Sequence, residues 1–208
     1  MGSVRAFIAV ELPPTLRQVL DELTGKLRAG TPPRVVKWVP ADNLHLTLKF
    51  LGQMPVEQQE ELVGKLHAVA KAHAPFALTL TSLGCFPSAR KPHVIWVGIA
   101  ERNLDRLRAL HHDVEEALVP LGYPAEERDF SPHLTLGRVS RDARGPSVRA
   151  LGEVLGNHEV GELGELTVGH LALMRSDTQP GGARYTRMAH IPLAQSVVAG
   201  VEVDAPGR

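Results

Sequence analysis

Apolar positions along this chain switch repeatedly between a period of two and a period near 3.6, which predicts alternating strands and helices. Arg5 to Leu12 is an apolar strand that Pro13 and Pro14 stop. Leu16, Val19, Leu20, Leu23 and Leu27 then recur at helical spacing across Thr15 to Arg28. A strand over Val35 to Val39 and a turn at Ala41-Asp42-Asn43 precede a strand over Leu44 to Leu51, which Gly52 is expected to end. Val56 to His73 reads as helix. Phe76 to Leu83 and His93 to Ile99 read as strands on either side of a turn at Gly84-Cys85-Phe86-Pro87, and Asn103 to Leu121 as helix. Strand His133 to Val139, a polar stretch from Ser140 to Pro146, a short helix over Val148 to Leu155, and strands near Leu166 to Arg175 and Tyr185 to Pro192 complete the pattern.

Inside this pattern one tetrapeptide occurs twice, as His45-Leu46-Thr47-Leu48 and as His133-Leu134-Thr135-Leu136. In a strand, successive side chains point to opposite faces, so each His shares a face with its Thr while the two leucines share the other. The leucines bury and thereby fix the register; the polar pair is left to line a cleft. The order of elements around the first motif is loosely echoed around the second. The expected fold is therefore a pseudo-symmetric α+β protein with largely antiparallel sheets, because a polar strand face needs one open side. Residues 1–194 are expected to form one bilobal domain, and 195–208 a mobile tail.

Composition narrows the function classes. Lys plus Arg equals Asp plus Glu, 23 each, so no global positive field holds a long nucleic acid, and any anion site must be local. Cys85 is the single cysteine, which excludes an internal disulfide and a cysteine-based zinc site and suits a reducing compartment. No apolar run approaches the roughly 20 residues of a membrane span, and no signal-peptide pattern opens the chain. A cytoplasmic protein without a membrane association is expected.

Imidazole exchanges a proton near neutral pH, so two histidines facing one substrate make a general acid and a general base. This pairing suits in-line displacement at phosphorus, where one His activates the attacking oxygen and the other protonates the leaving oxygen. Thr47 and Thr135 would donate to non-bridging phosphate oxygens, from strands that need no reorganisation. Neither a metal nor any other cofactor is called for.

Paired His-x-Thr-x motifs resemble the signature of the 2H phosphoesterases. Their flanks resemble one branch of these, the bacterial RNA 2′,3′-cyclic phosphodiesterases also called 2′-5′ RNA ligases. The similar segments are Arg5 to Pro13, Asn43 to Gly52 and Phe130 to Arg138, with weaker similarity through Leu83 to Pro87 and Tyr185 to Pro192. The resemblance implies a bilobal pseudo-twofold fold, with two sheets flanking a central groove and helices outside. It implies hydrolysis of RNA-terminal 2′,3′-cyclic phosphate to a 2′-phosphate, with reversible, ATP-independent 2′-5′ joining to an RNA 5′-hydroxyl as a side capacity, by a monomer. By the same resemblance His45 protonates the leaving oxygen, His133 activates water, Arg138 meets the phosphate and Phe50 packs on the nucleobase. Where the family has a charged or bulky residue near the second motif, Gly137 is expected to leave the wall open.

Three readings compete with this one. An RNA-end binding module would keep Arg138 and Phe50 but would not need both histidines. Another 2H phosphodiesterase would act on 2′-5′ linked oligonucleotides or small cyclic nucleotide phosphates. Finally, His111 to Glu116 carries His and Glu at i, i+4 spacing, which a metal could use, although a solvated helix face is the expected outcome. Arg90 to His93 and Arg141 to Arg149 are small basic patches suited to guiding RNA. Trp38 and Trp96 are expected in the core, and Tyr185 on a loop bordering the site.

Overall fold

The strands formed by the apolar alternation are β1 (Ser3–Glu11), β2 (Val36–Trp38), β3 (His45–Pro55), β4 (Phe76–Phe86), β5 (Val94–Ile99), β6 (Leu134–Val139), β7 (Gly164–Val168), β8 (His170–Gln179) and β9 (Gly182–Pro192). The helices are α1 (Pro14–Gly30), α2 (Gln59–Lys71), α3 (Leu104–Leu118) and α4 (Gly145–Gly156). The structure, a computed structural model, describes residues 2–179 and 182–194; the tail expected at 195–208 lies outside the described residues.

All strand pairings are antiparallel, and the order is β7-β4-β5-β6-β3-β1-β8-β9 with β2 also on β6. The two motif strands meet at the centre through a single register pair, Leu46 opposite Leu134. In place of the expected two sheets there is one nine-stranded sheet, whose half of five strands (β7-β4-β5-β6 with β2) and half of four (β3-β1-β8-β9) join at one rung. Beyond that rung the halves diverge, with β2 filling the edge of β6 that β3 leaves. α2 packs on α3, β8 and β9, while α1 packs on α4 and β7. One apolar cluster, largely aliphatic, runs from Ala6 to Leu193 through both halves.

Helix α1 follows from its sequence directly. Pro14 occupies the first turn, where no donor is lost, and Leu16, Leu20, Leu23 and Leu27 form the buried stripe. Thr31 Oγ1 donates to the Leu27 carbonyl at 2.7 Å and closes the helix end.

Three boundaries differ from the sequence reading, each for a physical reason. Gly52 does not end β3; it takes a φ of +67° beside an irregularity in the pairing with β1, and the strand runs on to Pro55. Gly84 is not a turn residue. It sits inside β4 opposite Trp96, and a Cβ there would fall 2.3 Å from the indole, so the glycine makes room for the ring. Leu166 to Arg175 is two strands rather than one: β7 pairs with β4 in one half, while β8 pairs with β1 in the other. Both segments are apolar, so periodicity cannot reveal that the chain changes halves at Gly169.

Candidate active site

Both motif strands carry a one-residue irregularity at the same place. Ile8 pairs with Lys49 and Ala9 with Thr47, leaving Leu48 as the extra residue of β3. Ile95 pairs with Gly137 and Trp96 with Thr135, leaving Leu136 as the extra residue of β6. A bulge shifts the alternation of faces by one. Hence Leu46, Leu48 and Lys49 all turn inward, and Phe50 returns to the open face with 57% exposure. In the second half Leu134, Leu136 and Gly137 are buried and Arg138 returns to the open face. Residues five beyond each histidine thereby join the histidines.

His45, Thr47, Phe50, His133, Thr135 and Arg138 line one cavity of about 640 Å³, together with Arg5, Phe7, Asn43, Phe86, Ser176, Thr178 and Tyr185 among others. All six expected site residues are therefore brought together. His45 Nδ1 lies 2.7 Å from the Asn43 carbonyl, and His133 Nδ1 lies 2.7 Å from the Ser131 carbonyl. A carbonyl only accepts, so both Nδ1 atoms carry the proton and donate. Each Nε2 remains for exchange with a ligand. Asn43 is itself anchored by its Nδ2 donating to the Ala183 carbonyl at 2.7 Å. Among the described residues, neither threonine hydroxyl is committed to a partner within the chain, and Arg138 has no carboxylate partner.

Aromatic rings fix both imidazoles. Phe7 lies 4.7 Å and Tyr185 5.1 Å from the His45 ring, the latter edge-on, and Phe86 meets His133 edge-on at 5.0 Å. Burial holds both histidines below the ordinary imidazole range, and the Arg138 charge adds to this, while the backbone hydrogen bonds oppose it. Both rings are thus biased toward the neutral form in the free protein.

Several expectations are corrected. Gly137 leaves no open wall: a Cβ on it would lie 2.6 Å from Val36 Cγ1, so β2 closes the space. Tyr185 belongs to β9 rather than to a loop, and Trp38 and Trp96 are half-buried rather than core. The helix face at His111 to Glu116 is only partly solvated, because Glu115 is 5% exposed and pairs with Lys49, 2% exposed, at 2.5 Å. Lys49 Nζ also donates to the Pro124 carbonyl, and Glu115 accepts from the Glu126 N–H. His111 stacks on Phe130 at 3.8 Å. This buried network ties β3 to the segment leading into His133.

Among the described residues, two clusters have donor atoms close enough for a cation: His112, Asp113 and Glu116 on α3, and Glu11, His170 and His190. In the first, Asp113 already takes His73 at 2.7 Å. In the second, the Arg187 guanidinium lies 2.8 Å from Glu11 and neutralises it. No helix among the described residues is long and apolar enough to cross a membrane.

Two His-x-Thr strands facing one groove, each with its Nδ1 pinned, define a 2H phosphoesterase site. A profile described as the 2′-5′ RNA ligase superfamily matches residues 12–180. The RNA 2′,3′-cyclic phosphodiesterase of Methanothermobacter thermautotrophicus is 33% identical over 186 residues, covering 89% of this chain and 96% of that protein. The enzyme of that name from Thermus thermophilus is 35% identical over 187 residues, covering 88% and 87%. A crystal structure of Escherichia coli LigT complexed with 3′-AMP matches with a TM-score of 0.69 at 27% identity, covering 93% of this chain and 99% of that one. The chain belongs to the 2′-5′ RNA ligase superfamily.

Proposed function

We propose that the protein hydrolyses RNA-terminal 2′,3′-cyclic phosphate to a 2′-phosphate, with His45 and His133 as the acid–base pair. The observation that carries this reading is that two pinned imidazoles from opposite halves share one groove with Thr47, Thr135 and Arg138. Relatives named RNA 2′,3′-cyclic phosphodiesterase over nearly the whole chain support the substrate.

In the proposed step His133 Nε2 takes a proton from water, whose oxygen attacks phosphorus. The bond from phosphorus to the 3′ oxygen breaks, and that oxygen takes the Nε2 proton of His45, which enters the step as the imidazolium with Nδ1–H still on the Asn43 carbonyl. Charge grows on the non-bridging oxygens, where the two threonine hydroxyls and the Arg138 guanidinium donate. Phe50, exposed at the rim, offers a face on which any terminal base stacks. Replacing water with an RNA 5′-hydroxyl turns the same displacement into 2′-5′ joining. The same reading takes the protein to act on RNA in the cytoplasm as a monomer, which a groove lined by residues of one chain supports.

The test is incubation with a short RNA ending in 2′,3′-cyclic phosphate in excess EDTA, with chromatographic separation of the products. The expected product is the 2′-phosphate. A 3′-phosphate would reverse the assigned geometry, and binding without turnover would favour an RNA-end binding module.

A further inference from the structure

The catalytic cavity, at about 640 Å³, is the size of a site for one small ligand, so an RNA chain must leave it somewhere. β5 and β6 provide an exit. Val94 is opposite Arg138 in the ladder, and the Val139 N–H donates to the His93 carbonyl at 2.9 Å. This pairing sets the segment before β5 against the segment after β6. Two basic stretches far apart in sequence thereby meet, and Arg90, Lys91, His93, Arg141, Arg144 and Arg149 line a second cavity of about 1000 Å³.

That cavity shares Val94 and Arg138 with the catalytic groove, so the two adjoin at these residues. Neither Asp nor Glu lines it, although the whole chain carries as many acids as bases. Among the described residues none of its lysine or arginine side chains is in an ion pair. The charge is held in place: the Arg144 guanidinium donates to the Arg141 and Ala143 carbonyls, and the Ala143 N–H to the Ser140 carbonyl. No Phe, Tyr or Trp lines the cavity, and the His93 imidazole is its one ring, so cations dominate the lining.

We propose that this cavity is a phosphodiester subsite that holds the backbone of the RNA strand whose cyclic phosphate lies between the histidines. The proposal rests on the acid–base reading of the groove and extends it from the terminal nucleotide to the chain behind it. Unpaired cations of this kind contact phosphates, and such contacts carry no sequence information. The enzyme is therefore length-sensitive and sequence-tolerant. Arg138 stands at the junction, where it meets the scissile phosphate from one cavity and borders the strand from the other.

The experiment compares wild type with Arg141→Glu/Arg149→Glu, and separately with Arg90→Ala/Lys91→Ala, none of which touches the reacting atoms. The substrates are a nucleoside 2′,3′-cyclic monophosphate and a decanucleotide ending in 2′,3′-cyclic phosphate. Turnover of the mononucleotide is expected to stay at the wild-type level in both variants. For the decanucleotide, kcat/KM is expected to fall about tenfold or more through KM, and the slope of log affinity against log salt to shrink by about 1.4 for the two arginines removed. Unchanged decanucleotide kinetics and salt slope, or an effect confined to 2′-5′ joining, overturns the subsite. Fluorescence anisotropy of a labelled decanucleotide ending in 2′-phosphate reads strand binding without catalysis. If wild type turns over neither substrate, the acid–base reading has failed, and this measurement alone decides the subsite: variant-sensitive binding supports it and variant-insensitive binding overturns it.

Discussion

The two halves around the groove share a backbone device and differ in the side chains mounted on it. In each, a histidine donates Nδ1–H to the carbonyl two residues earlier, a threonine follows at +2, a leucine bulge falls at +3, and the +5 residue swings into the groove. At +5 one half presents Phe50 and the other Arg138; at +4 one buries Lys49 and the other has Gly137 packed beneath Val36. Duplicated geometry with divergent side chains divides the labour. In the proposed reaction the first half presents a flat apolar face to a base and the second a cation to phosphate, while proton transfer is common to both.

The largest break in this symmetry comes from the shared element. His45→Ala or His133→Ala is expected to lower kcat by about 10²- to 10⁴-fold, with an unchanged circular dichroism spectrum. Near-normal turnover in either variant removes the acid–base pair. The next effect is on stability. Lys49→Met strands the Glu115 carboxylate in the core and is expected to cost about 3–5 kcal/mol in urea unfolding, because one partner of a buried ion pair is lost. The double change Lys49→Met/Glu115→Leu should recover much of that loss; equal destabilisation would show that the pair contributes as packing and not as charge.

Arg138→Gln sharpens the difference at +5. Loss of a charge-assisted hydrogen bond of about 1.5–3 kcal/mol should lower kcat/KM by roughly 10- to 150-fold. The same change moves the pH profile. Burial and the Arg138 charge both hold the histidines below the usual imidazole value of about 6.5, so with these two as the acid–base pair both limbs of the kcat/KM bell are expected on the acid side of that value. Removing the cation eases protonation, and both limbs should shift to higher pH; a shift to lower pH contradicts the assignment. Phe50→Ala should have the smallest effect, raising KM by a loss of stacking of about 1–3 kcal/mol while kcat holds. A fall in kcat at constant KM would instead make Phe50 a positioning residue.

The legible part of the molecule was the part written in local pattern. His45, Thr47, His133 and Thr135 follow from alternation alone, and the helices from their leucine stripes. Phe50 and Arg138 were reachable only through family resemblance, because strict alternation counted from each histidine puts Lys49 and Gly137 in the groove instead. The bulges at Leu48 and Leu136 leave no mark in composition. Phe7 and Tyr185 reach His45 from neighbouring strands, and Glu115 finds Lys49 across the fold; such partners depend on pairing register, which a single sequence does not specify. The same limit concealed the change of halves at Gly169.

The single rung between Leu46 and Leu134 has a mechanical consequence. Both leucines are fully buried, so the spacing of the two histidines is gauged by the volume of aliphatic side chains behind them and hardly at all by ladder hydrogen bonds. The aperture of the groove is therefore calibrated from the rear, and a change of one methylene in that wedge alters the fit at phosphorus without touching any residue that meets the ligand.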